Sequence, residues 1–237
     1  MRAVLIMSPG GPEVLQVQEV ENPRIGDDEV LIKIGATALN RADTLQRKGS
    51  YPPPEGASPY PRLECAGTVE SAGKNVTRWT VGDEEVEKLT FCKELGADVC
   101  INYKTEDFVA RVKEETGGKG VDVILDNVGG PYFQRNLNSL NVNGRLFIIG
   151  FQGGTITEAN LRCMLARCLT VQAVGLRTRS PENKALIVSE VEKNVWPAIV
   201  AGKVKPVVYK SFPLSEAAEA QRLMESSKHI GKILLIP

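Results

Sequence analysis

Histidine occurs once in this chain of 237 residues, as His229, so no paired-imidazole metal site can be assembled from it, nor a triad supported by a second histidine. The five cysteines (Cys65, Cys92, Cys100, Cys163, Cys168) contain no C-x-x-C. An odd count without metal spacing fits reduced thiols in a cytoplasmic protein better than a disulfide framework. No apolar run approaches the roughly 20 residues of a membrane span, and Met1-Arg2 leads straight into Ala3-Val4-Leu5-Ile6 without a signal-peptide pattern. Like charges are not blocked together, and 29 Lys plus Arg balance 29 Asp plus Glu. A neutral, evenly charged surface argues against a nucleic-acid face or an anionic-membrane face. Aromatics are only 5% of the chain, with no aromatic-basic stripe for single-stranded RNA. Neither G-x-G-x-x-G nor G-x-x-G-x-G occurs anywhere.

What is present is a strand grammar. Val121-Asp122-Val123-Ile124-Leu125-Asp126 runs into Asn127-Val128-Gly129-Gly130, and Arg145-Leu146-Phe147-Ile148-Ile149 runs into Gly150, with Gly153-Gly154 close behind. Near-continuous β-branched runs are the habit of parallel strands buried on both faces. Glycines after their carboxyl ends let a backbone approach a ligand, and ligands of open α/β sheets bind at that edge.

Residues 1–82 read as short strands and turns: strands over 3–7, 14–20, 29–36 and 65–73, and a short helix over 39–47. Tyr51-Pro52-Pro53-Pro54 is a stiff loop presenting an aromatic ring. From Asp83 the texture changes. Helices are expected over 84–95, 108–116, 161–168 and 182–201, alternating with strands over 97–103, 121–126, 145–149 and 169–175. That alternation indicates βαβ units. A strand over 204–209, a helix over 215–225 capped by Ser215 and a last strand over 232–236 complete the chain. The division expected is 1–83, 84–178 and 179–237.

Specific words now join this order. Ala38-Leu39-Asn40-Arg41-Ala42-Asp43, Gln46-Arg47, Tyr51-Pro52-Pro53-Pro54 and Leu63-Glu64-Cys65-Ala66-Gly67 are four of them. Lys93-Glu94-Leu95-Gly96-Ala97-Asp98, Ile101-Asn102-Tyr103-Lys104, Gly144-Arg145 and His229-Ile230-Gly231-Lys232-Ile233 follow. Through them the chain resembles the zinc-independent medium-chain dehydrogenase/reductases, within them the zeta-crystallin-like NADPH:quinone oxidoreductases of the stress-inducible branch. The resemblance implies direct hydride transfer from NADP(H) to a quinone or other small carbonyl compound, with no metal and no covalent nucleophile. Zinc-using relatives place Cys and a His-Glu pair where this chain has Asn40 and Asp43, and Leu63-Glu64-Cys65.

The same resemblance exposes a gap. The family continues its β domain after Val81-Gly82-Asp83 and opens its nucleotide domain with a strand, a glycine-rich loop, a helix and a second strand. A full two-domain member would be longer by on the order of ninety residues. The fold implied is therefore α/β, a truncated GroES-like β domain plus an incomplete Rossmann-type parallel sheet lacking its first βαβ unit. Without the loop whose amides hold the pyrophosphate, NADP(H) binding is expected to be weak. The strand over 99–103 is expected to pair directly with Val121–Asp126. The alternative is a bare sheet edge that invites homo- or hetero-oligomers.

Individual residues follow from the resemblance. Asn40, Asp43 and Tyr51 would line the substrate cleft, although Asn40 is equally a helix cap and Asp43 a surface charge. Lys88 matches a residue that meets the 2′-phosphate, but Glu85 beside it would repel phosphate. Tyr103 matches a tyrosine near the adenosine ribose and equally suits aromatic packing at a strand end. Val128, Gly129, Gly150, Phe151, Gln152 and Ser227 match segments near the nicotinamide. Lys232 reads as a solvated strand-end charge.

Overall fold

The structure, a computed structural model, describes residues 1–24, 26, 30–61, 64–72, 92, 95–103 and 105–237. The chain divides into two units, Met1–Phe91 with Glu192–Pro237, and Cys92–Val191.

The first unit is mainly β. Strands β1 (Arg2–Ile6) and β2 (Leu15–Glu19) form an antiparallel pair. A second sheet has the order β4-β3-β9-β8, built from β3 (Val30–Leu39), β4 (Cys65–Ala72), β8 (Val208–Pro213) and β9 (Lys232–Ile236). Thus strands from both ends of the chain lie side by side. Helix α1 (Arg41–Arg47) follows β3 directly. Its start is a reciprocal cap: the Asn40 N–H donates to Asp43 Oδ2 at 2.7 Å, and the Asp43 N–H donates to the Asn40 carbonyl at 3.0 Å. The core gathers Val4, Leu39, Phe212, Met224, Ile233 and Leu235. Alternate residues of β9 point into it, as the period of two demands.

The second unit holds the parallel sheet β5-β6-β7, with β5 at Val121–Asp126, β6 at Leu140–Ile148 and β7 at Thr170–Ala173. Helices α2 (Phe108–Glu115), α3 (Phe133–Ser139) and α4 (Arg162–Arg167) belong to it. Leu137, Leu140 and Leu146 are its fully buried centre, with Ile124, Phe133 and Met164 packed around them. Helix α5 (Pro181–Asn194) leads back to the first unit, where α6 (Trp196–Val200) and α7 (Ala217–Ser226) lie.

Five sequence expectations change. First, residues 99–103 form no strand and do not pair with β5, which has only β6 beside it among the described residues. Their polar groups are satisfied by a local turn instead. The Tyr103 N–H donates to the Ile101 carbonyl, Glu106 N–H to the Asn102 carbonyl, and Asn102 N–H to Glu106 Oε1. A backbone closed on itself has no ladder to offer. Second, β5 is covered on one face only: Ile124 packs inward while Val123 and Leu125 are exposed, Leu125 at 68%. Third, the helix expected over 182–201 breaks into α5 and α6 at Val195, two residues before Pro197. Proline lacks the N–H and its ring clashes with the carbonyl four residues earlier. Fourth, β8 begins at Val208 and not at Val204, after Pro206 has removed a ladder donor. Fifth, a 3₁₀ turn, Leu214–Glu216, precedes α7, so Ser215 caps nothing and Glu216 occupies the cap position. The helix expected over 84–95 and Lys88 lie outside the described residues.

Candidate functional site

Asn40 is held in place from below and used from above. Its backbone is fixed by the cap with Asp43, which is fully buried. Its side-chain amide Nδ2 donates to Glu64 Oε1 at 2.8 Å, and its Oδ1 accepts from Lys232 Nζ at 3.3 Å. Lys232 also donates to Glu64 Oε1 at 2.5 Å. Three residues from the end of β3, the approach to β4 and the start of β9 thus close a polar triangle. Burial works to raise the Glu64 carboxyl, but the hydrogen bonds from Lys232 and Asn40 and the Lys232 charge outweigh it and hold its pKa below the ordinary value. Glu64 is accordingly a carboxylate at neutral pH.

Glu64 and Lys232 of this triangle, with Thr68 of β4, form the polar lining of an otherwise apolar cavity of about 480 Å³. Ala36 and Ala38 of β3, Cys65 and Gly67 of β4, Val208 of β8 and Leu234 of β9 line the rest. Gly35 and Ala36 in this lining sit at a bulge in the β3–β4 register between Ile34 and Ala36. There Gly67 lies so close to β3 that a Cβ on it would sit 2.1 Å from the Lys33 carbonyl oxygen. No other residue fits that crossing. The volume is within the range of small-molecule pockets, which pair apolar walls with a few converging polar groups.

Tyr51 stands on its proline loop, 37% exposed. Ser227 closes α7 with φ of 55°, and its Oγ accepts from Arg41 Nη2 at 3.1 Å. Cys65 is an exposed free thiol.

In the second unit the residues expected at the cofactor meet one another. Asp126, 5% exposed, accepts the Val128 N–H at 2.8 Å and the Gly129 N–H at 3.1 Å. The Gly130 N–H donates to the Gly154 carbonyl, Gln152 to Asn127 and Gly153 to Val128. Gly129 and Gly154 form a parallel bridge. Gly129 has φ of 84°, and a Cβ there would lie 2.7 Å from the Gly154 oxygen, so the close approach it permits is to its own chain. Gly150 packs toward Asn127, and Phe151 is half exposed beside Gly129. The strand-end loops are zipped together through the amides of Val128, Gly129, Gly130, Gln152 and Gly153, with a carboxylate among them. At the opposite edge, Lys113, Lys119 and Arg167 surround a cavity of about 310 Å³ near the amino ends of the strands. There the Arg167 guanidinium is committed to the Leu137 and Leu140 carbonyls.

The Tyr103 ring meets Tyr132 edge-on at 5.9 Å. Tyr132 stacks on Phe108 at 5.6 Å, and Arg135 lies 4.2 Å above the Phe108 ring.

The residues of this cluster that sequence reasoning passed over are Glu64 and Lys232, the latter read as a solvated strand end. The signal available was Glu64 and Lys232 each lying inside a word of the family resemblance. What no pattern supplied was their meeting across 168 residues of sequence.

Similarity to known proteins bears on the same features. A zinc-binding dehydrogenase family matches residues 95–235, and the alcohol dehydrogenase GroES-like domain matches residues 26–129. The quinone oxidoreductase of Rattus norvegicus is 24% identical, covering 100% of this chain and 98% of that protein. That alignment runs over 332 positions, 95 more than the 237 residues of this chain. A 2-haloacrylate reductase of a Burkholderia species is 34% identical over 67% of this chain and 47% of its own length. Among solved structures, Escherichia coli quinone oxidoreductase complexed with NADPH superposes with a TM-score of 0.78 at 24% identity, covering 100% of both chains. At that identity the likeness concerns the fold: a GroES-like β domain beside a Rossmann-like parallel sheet. The zinc of the first family's description has no ligand set in the described residues, where no three His, Cys, Asp or Glu side chains come together. Also among the described residues, no helix is long and apolar enough to cross a membrane.

Proposed function

Because the chain belongs to the zinc-independent medium-chain dehydrogenase/reductases, an oxidoreductase family, we propose that it is a quinone reductase-type protein with a weak hold on NADP(H). Support for the substrate class is the apolar cavity with one polar wall, together with the quinone oxidoreductases it resembles. On this reading residues 1–83 and 179–237 form the substrate side, with Asn40, Asp43 and Tyr51 at the cleft. Residues 84–178 form the nucleotide side. There Val128, Gly129, Gly150, Phe151 and Gln152 would face the nicotinamide, joined by Ser227 from the substrate side, with Tyr103 at the ribose and Lys88 at the 2′-phosphate. Hydride chemistry in such enzymes belongs to the bound nicotinamide. The chain's own part is to orient a carbonyl compound and keep water from it.

The single observation behind the weak hold is the zipped loop pair after β5 and β6, in a chain without a glycine-rich phosphate loop. Losing two charge-assisted hydrogen bonds, at about 1.5–3 kcal/mol each, weakens binding by roughly two to four powers of ten. A dissociation constant for NADPH of about millimolar is expected, with little unaided quinone reduction. Calorimetric titration of the purified chain with NADPH tests this, alongside quinone-dependent NADPH consumption. Micromolar binding with turnover would overturn it. A second reading is a non-catalytic family member that acts by pairing with full-length subunits. The exposed Val123 and Leu125 on the edge strand β5 favour it. Co-purification with a full-length relative, with no turnover of its own, would be its signature.

A further inference from the structure

Lys232 has three ammonium hydrogens, and two of them are accounted for. One goes to Glu64 Oε1 and one to Asn40 Oδ1. The side chain is 40% exposed and lines the 480 Å³ cavity, whose remaining walls are apolar apart from Glu64 and the Thr68 hydroxyl. Glu64 and Asn40 therefore leave Lys232 oriented, charge-compensated and one donor short of saturation, and among the described residues it is the only cationic group lining this cavity. A carboxylic acid ligand would meet Glu64 beside the lysine, a like charge that disfavours it. A neutral, flat, apolar molecule with a carbonyl oxygen meets no such penalty and satisfies the remaining N–H.

We infer that Lys232 is a binding residue for this cavity, donating its third hydrogen to one carbonyl oxygen of a neutral cyclic diketone or enone whose ring lies over Ala36, Ala38 and Leu234. Asn40 and Glu64 are positioning residues that aim the ammonium. This rests on the quinone-type substrate class proposed above and deepens it. It does not depend on cofactor affinity.

The test is ligand binding by the full chain without nucleotide. The probe is 2,3-dimethyl-1,4-naphthoquinone, whose substituted ring positions block addition of the Cys65 thiol, and 2,3-dimethylnaphthalene is the oxygen-free control. Saturation-transfer NMR titration should show the quinone bound at least about tenfold more tightly than the hydrocarbon. Lys232→Met should abolish that preference while leaving hydrocarbon binding unchanged, and Lys232→Arg should restore most of it, because a guanidinium still donates. The thermal midpoint of each variant verifies folding. If the quinone binds but Lys232→Met leaves the preference intact, the lysine assignment is overturned and the substrate class stands. If the unaltered chain binds neither probe, both the assignment and the cavity's role are overturned.

Discussion

Arg47 is the residue whose removal the fold should tolerate least. It is the last residue of α1, fully buried, and reaches across to α7. Its Nε donates to the Gly10 carbonyl at 3.0 Å, one terminal nitrogen to Gln221 Oε1 at 2.7 Å and the other to Glu225 Oε1 at 3.0 Å. Arg47→Met keeps much of the volume and removes every donor. Glu225 retains Lys48 and stays partly in water, so little is lost there. Gln221, 0% exposed, and the Gly10 carbonyl lose their partners, at about 1–3 kcal/mol each. The expected destabilisation is about 3–5 kcal/mol, the range for breaking a buried charged network. Against a total of about 5–15 kcal/mol this is severe. In urea, with a slope of about 2 kcal/mol per molar, the midpoint of the first unit should fall by about 2 M. Far-UV circular dichroism and Trp196 fluorescence would follow it. Adding Gln221→Leu removes one of the stranded acceptors, so the double variant should recover about 1–3 kcal/mol relative to the sum of the single changes. A loss below about 1 kcal/mol for Arg47→Met, or strict additivity, would refute this account of the tether.

Two further perturbations probe the site and the zipped loops. The folded pKa of Glu64 lies below its unfolded value of 4.5, so the pair with Lys232 stabilises above that value and is lost as pH falls through the lower folded one. Glu64→Gln should therefore lower the urea midpoint at pH 7 and have no effect at pH 2–3 (about the lower limit of carboxylate titration); an undiminished effect in acid would contradict the ion pair. Asp126→Asn leaves one oxygen to serve two amides and removes the charge, which should destabilise the second unit by about 1.5–3 kcal/mol. Hydrogen exchange at residues 128–130 should accelerate while the centre of β6 stays protected, and unchanged protection would sink the claim.

Much of the architecture was legible before any coordinate. The runs at 121–126 and 145–149, the period-two segments near both termini and the Asn40 helix cap are local properties, set by neighbours within a few residues, whereas Asp43, read as a surface charge, is fully buried in that cap. The absence of a G-x-G-x-x-G or G-x-x-G-x-G pattern is likewise a property of the sequence alone. The proline positions that broke one helix and delayed β8 were also written in the chain, and they outweighed the helical and strand periodicity around them because a missing N–H is absolute. Residues 97–103 show the limit. Their strand-like composition lost to a turn, because strands form only where a neighbour offers a ladder, and that neighbour is not specified locally.

Other features depended wholly on the tertiary fold. Lys232 differs from any solvated strand-end lysine only because β9 lies beside β3, which sets its ammonium against Glu64 and Asn40. Arg47 is buried only because α7 packs on α1, and the loops after β5 and β6 close on each other only because their strands are parallel neighbours. Charge pairing, burial and cavity shape are sums over contacts between residues far apart in the chain, so composition and spacing bound them without choosing among them.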